Sequence, residues 1–295
     1  MVAPRFTFVG VPIDSVGRCG GTEFAPDAIR EVSGDPSLWS ADVGNLEVSI
    51  RGDDRDPDTG IIASADVLRT TAVVEDAVAH ILEGGDTTPF VMGGCCTLMP
   101  GALAGSRRVL GPTALVYVDG HLDLYDGNTS PSGEAADMPM SVVLGLGPAA
   151  WVEACGGRVV DPSHAAIVGF RDLEEAIGYG HPRPQDIAGL TAIDADGVRA
   201  GGGRAVGGEL VEGFREPGRL WVHLDVDVLD ETVFPATDYL MPGGLGWQEL
   251  TELLGPLLTS PSLVGVSVGC YNPTKDPGAE AGRALVEAFR EAVSG

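Results

Sequence analysis

Positive charge is what this sequence has least of. Lysine occurs once, at Lys275, and the 18 Lys and Arg residues together stand against 43 Asp and Glu, a net charge of −25. A chain this acidic repels phosphate backbones and anionic lipid surfaces, which excludes nucleic acid and membranes as expected partners. No apolar run approaches the ~18 residues that a membrane-spanning helix needs. No signal pattern precedes the first apolar segment, so a soluble, cytoplasmic protein is expected. Cysteine is scarce and irregular: Cys19, Cys95, Cys96, Cys155 and Cys270, with no CxxC pair. The odd count and uneven spacing argue against a disulfide framework and against a zinc-ribbon site. An internal repeat and a long linker are also missing, so residues 1–295 read as one domain.

What is present is an alternation of short apolar segments with helical ones. Residues 5–13, 88–92, 113–118, 165–170, 220–228 and 263–269 read as strands. Residues 65–83 carry Val67, Leu68, Ala72, Val73, Ala77 and Ile81 at helical spacing and stop at Gly84-Gly85. Further helices are expected at 26–30, 97–109, 138–146, 246–260 and 279–293; the first opens on Pro26, whose fixed φ suits a helix start. Residues 35–60 read as an irregular acidic stretch with room for one short strand at 46–50, and residues 172–207 as mixed. Strand–helix alternation predicts a three-layer α/β/α domain around a central parallel sheet, with function at the carboxyl ends of its strands.

Two of those strand ends carry metal-type ligands. Val116-Tyr117-Val118-Asp119-Gly120-His121-Leu122-Asp123 places Asp119, His121 and Asp123 at i, i+2 and i+4. Alternate residues of an extended chain share a side, so the three face one way. A hundred residues on, Trp221-Val222-His223-Leu224-Asp225-Val226-Asp227 repeats the idea with Asp225 and Asp227. Five oxygen and nitrogen donors on two strand ends can hold one or two hard divalent cations. His223, two residues before Asp225, reads either as a packed histidine or as an extra ligand. Asp53, Asp54, Asp56 and Asp58 lack calcium-loop spacing and read as a solvated acidic loop.

At these residues the chain resembles the ureohydrolases, the family of arginases, agmatinases and related amidinohydrolases. Gly10-Val11-Pro12-Ile13-Asp14 with Phe24-Ala25-Pro26-Asp27-Ala28-Ile29-Arg30 is similar to the opening of agmatinase-type members. Gly93-Gly94-Cys95-Cys96-Thr97 stands where the family has GGDHS. Asp119 to Asp123 resembles DAHxD, and Tyr125-Asp126 continues the likeness. Asp225 to Asp230 matches DxDxxD, with Glu231 in place of the proline that follows; Phe234-Pro235-Ala236-Thr237 and Gly243-Gly244-Leu245 match the next segment. The resemblance implies an arginase-like fold, a small guanidino-type substrate and a homo-oligomer, trimer or hexamer. It implies two manganese ions and a hydroxide held between them that attacks a guanidinium carbon and releases urea. It places metal on Cys96, Asp119, His121, Asp123, Asp225 and Asp227, with His121, Asp123 and Asp227 as catalytic residues. Ser130, Ser132, Glu174 and Cys270 fall on the substrate side.

Four positions depart from the family pattern. Cys95 and Cys96 replace the Asp and the ligand His of GGDHS, Ala136 stands where a catalytic histidine is expected, and Cys270 where a guanidinium-pairing glutamate is expected. Gly120 for alanine reads as harmless. A cysteine can ligate as thiolate, but as a soft donor it favours zinc or iron, or leaves one manganese position altered or empty. Losing the histidine removes a proton shuttle worth about 10²–10⁴-fold in rate. Losing the glutamate removes a charged anchor for a guanidinium. An N-hydroxyguanidine, which is less basic, suits such a pocket, and some ureohydrolase-like proteins of antibiotic pathways carry cysteine at the ligand position. Tyr125 and Glu134 in place of amide side chains argue against a substrate α-carboxylate. The expected function is a metal-dependent hydrolase, using metal-bound hydroxide, of a linear C–N bond in a guanidino or N-hydroxyguanidino compound. The alternative is a catalytically silent arginase-fold protein with a binding or assembly role. A thiol nucleophile paired with His121 is the weaker chemical option, since cysteine is commonly a small buried hydrophobe.

Overall fold

The carboxyl ends of four buried strands meet at one rim, and the rest of the chain serves to hold them there. The computed structural model describes residues 5–14, 20–34 and 38–294. Cys19 lies outside the described residues. Among the described residues eight strands are formed: β1 Phe6–Val11, β2 Trp39–Asn45, β3 Thr88–Gly93, β4 Ala114–Val118, β5 Ala165–Val168, β6 Thr191–Ile193, β7 Leu220–Asp225 and β8 Leu263–Gly269. They make one sheet in the order β2-β1-β3-β8-β7-β4-β5-β6, every pair parallel.

The layers follow from the two-residue period of a strand. Along β4, Val116 and Val118 enter one apolar cluster while Leu115 and Tyr117 enter the other. Helices Ser64–Gly84 and Met99–Leu110 cover the second face, and Gly203–Gly213, Trp247–Leu258 and Glu280–Ser294 cover the first. With both faces roofed, β4 and β7 are buried at every position, which is why they read as unbroken apolar runs. Gly85, at φ 72°, ends the long second-face helix as its sequence predicts. Among the described residues no helix is long and apolar enough to cross a membrane.

Both edge strands differ from expectation. The strand placed at 46–50 forms instead at Trp39–Asn45, and β6 was not foreseen. Most of β2 faces solvent, so it carries no apolar alternation to read. It is held by Trp39 against Phe8, with ring centroids 4.4 Å apart, and by Arg30 bridging to Asp42 at 2.8 Å. The helix expected at 138–146 closes early, at Pro139–Val143. Gly145 turns left-handed there (φ 77°), and the amides of Leu146 and Gly147 fold back onto the Ser141 carbonyl.

Candidate metal centre

Asp119 leaves β4 and Asp225 ends β7, neighbouring strands of the sheet. Each carboxylate braces its own turn with one oxygen: Asp119 Oδ1 accepts from the His121 amide at 2.6 Å, and Asp225 Oδ1 from the Asp227 amide at 2.8 Å. The two turns are tied together. The Gly120 amide donates to Asp227 Oδ1 at 3.1 Å, and the Arg171 guanidinium donates to the carbonyls of Asp227 (2.8 Å) and Val228 (3.1 Å). Gly120 is therefore not interchangeable with alanine at no cost: a Cβ there would stand 2.8 Å from both the carbonyl and Oδ1 of Asp227. Similarly, Gly94 has no room for a side chain against the Ile13 carbonyl, so the loop before Cys95 must pass close.

The geometry gathers five of the six expected ligand residues closely. His121 Nδ1 lies 3.1 Å from Asp227 Oδ2 and 3.6 Å from Asp119 Oδ1, and these three residues each offer a donor within 4.8 Å of the others. Cys96 Sγ lies 2.8 Å from Asp225 Oδ2 and 3.8 Å from Asp119 Oδ2. Asp123 stands outside these close sets. Its backbone is left-handed (φ 49°), and its carboxylate accepts from the Tyr117 hydroxyl. Close to Cys96 stands a group that spacing alone did not assign: His223 Nε2 is 3.1 Å from its sulfur.

Four carboxylates, Asp119, Asp123, Asp225 and Asp227, are buried within one small volume. Burial, reinforced by the charge of Asp227, raises Asp119 to about 7. Asp123 and Asp225 are pushed well up, first by burial and then by the neighbouring carboxylates. Burial also works against Asp227, but the charge and hydrogen bonds of His121 outweigh it, and this carboxylate falls below its ordinary range. His121 rises despite burial because Asp227 and Asp119 face it. Burial pushes the Cys96 thiol up, with Cys270 and Asp225 adding to it, and drives His223 down to about 3, a neutral imidazole. Without a cation this cluster holds protons; divalent ions would replace them. The donor set therefore fits the dications that such a fold calls for.

A cavity of about 410 Å³ opens over the cluster, and Cys96, His121, Asp123, Asp225 and Asp227 line it. Among the described residues its lining holds no Lys or Arg, while Asp137, Asp172, Glu175 and Asp238 extend the acidic wall outward. Asp172 Oδ1 and Asp238 Oδ2 are buried with no hydrogen-bond partner among the described residues. Cys270 lines this cavity, 3.8 Å from Cys96 sulfur to sulfur.

The substrate-side residues land unevenly. Ser132 faces the cavity; Ser130 is buried beside it, and both hydroxyls donate to Asp137, at 2.5 and 2.7 Å. Glu174 points to solvent, and the wall is made by Asp172 and Glu175 instead. The reason is helical winding: Asp172 precedes helix Leu173–Gly178, and about 100° per residue takes Glu174 away from the cavity and leaves Glu175, itself exposed, at its edge. Ala136 lines the cavity with no titratable group; its neighbour Asp137 lines it too, and burial raises that carboxyl against the opposing hydrogen bonds of Ser132 and Ser130. His181, unremarkable in sequence, accepts the Leu124 amide at 2.9 Å and so fixes the loop after Asp123. Of these, Asp137 is marked in the sequence by its position next to Ala136, in a motif already singled out, and His223 takes the ligand side of the two readings given above.

An all-parallel sheet with a carboxylate-rich centre at its carboxyl rim defines an α/β metallohydrolase-type scaffold, and the comparisons with known proteins agree. A model of the arginase family matches residues 4–294, and the chain belongs to that family. An arginase of Schizosaccharomyces pombe is 29% identical over 287 residues, covering 92% of this chain and 86% of the relative. A formimidoylglutamase of Bacillus subtilis is 23% identical, covering 97% and 86%. The solved arginase of Bacillus caldovelox superposes with a TM-score of 0.89 at 23% identity, covering 99% and 98% of the two chains.

Proposed function

We propose that this protein is a metal-dependent amidinohydrolase that cleaves a linear C–N bond in a cationic guanidino or N-hydroxyguanidino compound, releasing urea or hydroxyurea and an amine. The observation that carries the reading is the convergence of Asp119, His121, Asp225 and Asp227 at an acidic cavity that the last three line. Relatives named for hydrolysis of arginine and of a formimidoyl group support the reaction class. Asp119, His121, Asp225 and Asp227 would hold divalent ions, manganese suiting their oxygen and nitrogen donors. Bound dications would supply an activated water and stabilise developing negative charge.

The protein's own part is positioning. Asp172 and Asp238 line the cavity, and each keeps one buried oxygen without a hydrogen-bond partner among the described residues, although the other oxygen of Asp238 is paired with Lys275 at 2.7 Å; a cationic N–H group satisfies such an acceptor. An amine or guanidinium is therefore welcome along this wall, and a substrate carboxylate is not. Asp137, held by Ser130 and Ser132, is placed to give its proton to the departing amine, the task that Ala136 leaves open. Cys270 in place of an anionic anchor favours the less basic N-hydroxyguanidines at the reacting end. A homo-oligomer is proposed on the family resemblance, with sedimentation as its test.

The deciding experiment incubates manganese-loaded protein with a panel of guanidines, N-hydroxyguanidines and formimidoyl amines. Release of urea, hydroxyurea or formamide from at least one member, abolished by chelation, is expected. Full metal loading with no product from any member would leave the silent-scaffold alternative standing.

A further inference from the structure

We propose that Cys96 and His223 together ligate one thiolate-preferring dication of the zinc class, so that the two metal positions of this chain differ in chemistry. The inference deepens the hydrolase reading and shares Asp119 and Asp225 with it. Its starting point is a substitution that the fold compensates. Cys96 stands where the family resemblance expects an imidazole, and β7 brings one back from the opposite direction. His223 lies two residues before Asp225, on the same side of the strand. Cys96, His223 and Asp119 offer donors that all lie within 4.8 Å of one another, and so do Cys96, Asp225 and Cys270.

The two sulfurs stand at the spacing of tetrahedral donors, while His223 Nε2 and Asp225 Oδ2 lie closer to Cys96 and would move outward to admit a small ion. Zinc–sulfur and zinc–nitrogen bonds of about 2.3 and 2.0 Å place tetrahedral donors roughly 3.5 Å apart for sulfur to nitrogen and roughly 3.8 Å for sulfur to sulfur. Cys96 Sγ lies 3.1 Å from His223 Nε2 and 3.8 Å from Cys270 Sγ. Asp225 Oδ2, 2.8 Å from Cys96 Sγ, is in reach as a carboxylate donor.

His223 is held as a ligand histidine needs to be. Its Nδ1 lies 2.8 Å from Ser267 Oγ, on the neighbouring strand, and its ring stacks on Tyr117 with centroids 4.8 Å apart and planes 13° apart. Ser267 is fixed in turn by the Trp221 indole N–H at 2.9 Å. A second-sphere oxygen on one ring nitrogen orients the other toward a metal. The same surroundings disfavour a nucleophilic thiolate, because Cys96 faces two carboxylates and only a cation between them would balance three negative groups. The other position, Asp119, His121 and Asp227, has no sulfur and keeps its preference for manganese.

The test is X-ray absorption at the zinc edge on the unmodified full-length protein loaded with zinc and manganese together. A zinc shell containing sulfur at about 2.3 Å and imidazole nitrogen at about 2.0 Å is expected. A shell of oxygen and nitrogen alone would overturn the proposal. Cobalt(II) gives a second readout: a sulfur-to-cobalt charge-transfer band that remains in Cys270→Ala and is lost when Cys96→Ser is added to it. In His223→Asn, zinc affinity should fall by more than about 100-fold with the circular dichroism spectrum unchanged. A band absent from Cys270→Ala or persisting in the double variant, or undiminished zinc affinity in folded His223→Asn, would also overturn it. The zinc-edge spectrum decides alone if any variant fails to fold. None of these readouts uses turnover. An active enzyme with a sulfur-free zinc shell sinks this inference and spares the hydrolase reading; a sulfur-containing shell without turnover does the reverse.

Discussion

Removing one charge from the metal centre should stabilise the protein when metal is absent. Asp119 is buried among carboxylates, and its pKa rises from 3.8 to about 7. The sign follows from proton linkage. The folded state holds a proton that the unfolded state has released, so the contribution is fully favourable below pH 3.8 and is lost as pH rises to about 7. At 1.36 kcal/mol per unit, ionising Asp119 in the metal-free protein costs up to about 4 kcal/mol above pH 7. Asp119→Asn keeps the amide acceptor for the His121 N–H and removes that cost. Urea denaturation in chelator at pH 8 should therefore show the variant more stable than the parent by up to about 4 kcal/mol, and by clearly less at pH 5. Adding manganese should narrow the gap, because binding stabilises only the chain that still has its ligand, by about 2.7 kcal/mol at a hundredfold excess over Kd, and should close it at about a thousandfold excess, where the gain is about 4.1 kcal/mol. A variant that is equally or less stable than its metal-free parent at pH 8 would refute the reasoning.

Four further outcomes are expected. Asp227→Ala should lower the manganese bound per chain and reduce hydrolysis by at least about 100-fold; unchanged stoichiometry on dialysis would remove Asp227 from the ligand set. Cys96→His should tighten manganese binding or speed hydrolysis of ordinary guanidines, and a titration with no change in either would place Cys96 away from the metal. Glu175→Gln should raise KM for cationic substrates several-fold at little cost in kcat, the pattern of lost uniform binding; an equal fall in kcat would put Glu175 in the chemical step. Arg171→Ala breaks the charged hydrogen bonds to the carbonyls of Asp227 and Val228. It should cost about 2–3 kcal/mol, read from the denaturation midpoint, and should loosen metal binding with it.

How much of this could be read from the sequence depends on where each residue takes its cues. The six strands foreseen are those packed on one or both faces, whose apolar runs announce themselves. β2 and β6 lie at the sheet edges with few buried side chains, and their pairing comes from neighbours distant in sequence. DGHLD and DVD were legible because strand geometry alone puts alternate residues on one side. The Cys96–His223 contact joins residues 127 apart and exists only because of the order β3-β8-β7 in the sheet. Glu175 was missed for a smaller reason: the exact start of one short helix decides which of two glutamates faces the cavity. Asp137 is hidden in sequence because its place at the cavity is set by the Ser130 and Ser132 hydroxyls that hold it, not by any spacing motif.

The most direct test of the metal centre is anomalous diffraction at the manganese edge from crystals grown with manganese. The account predicts a peak within bonding distance of the carboxylates of Asp119 and Asp227 and of the His121 imidazole. Manganese-soaked crystals with ordered Asp119, His121 and Asp227 side chains and no anomalous peak among them would contradict it.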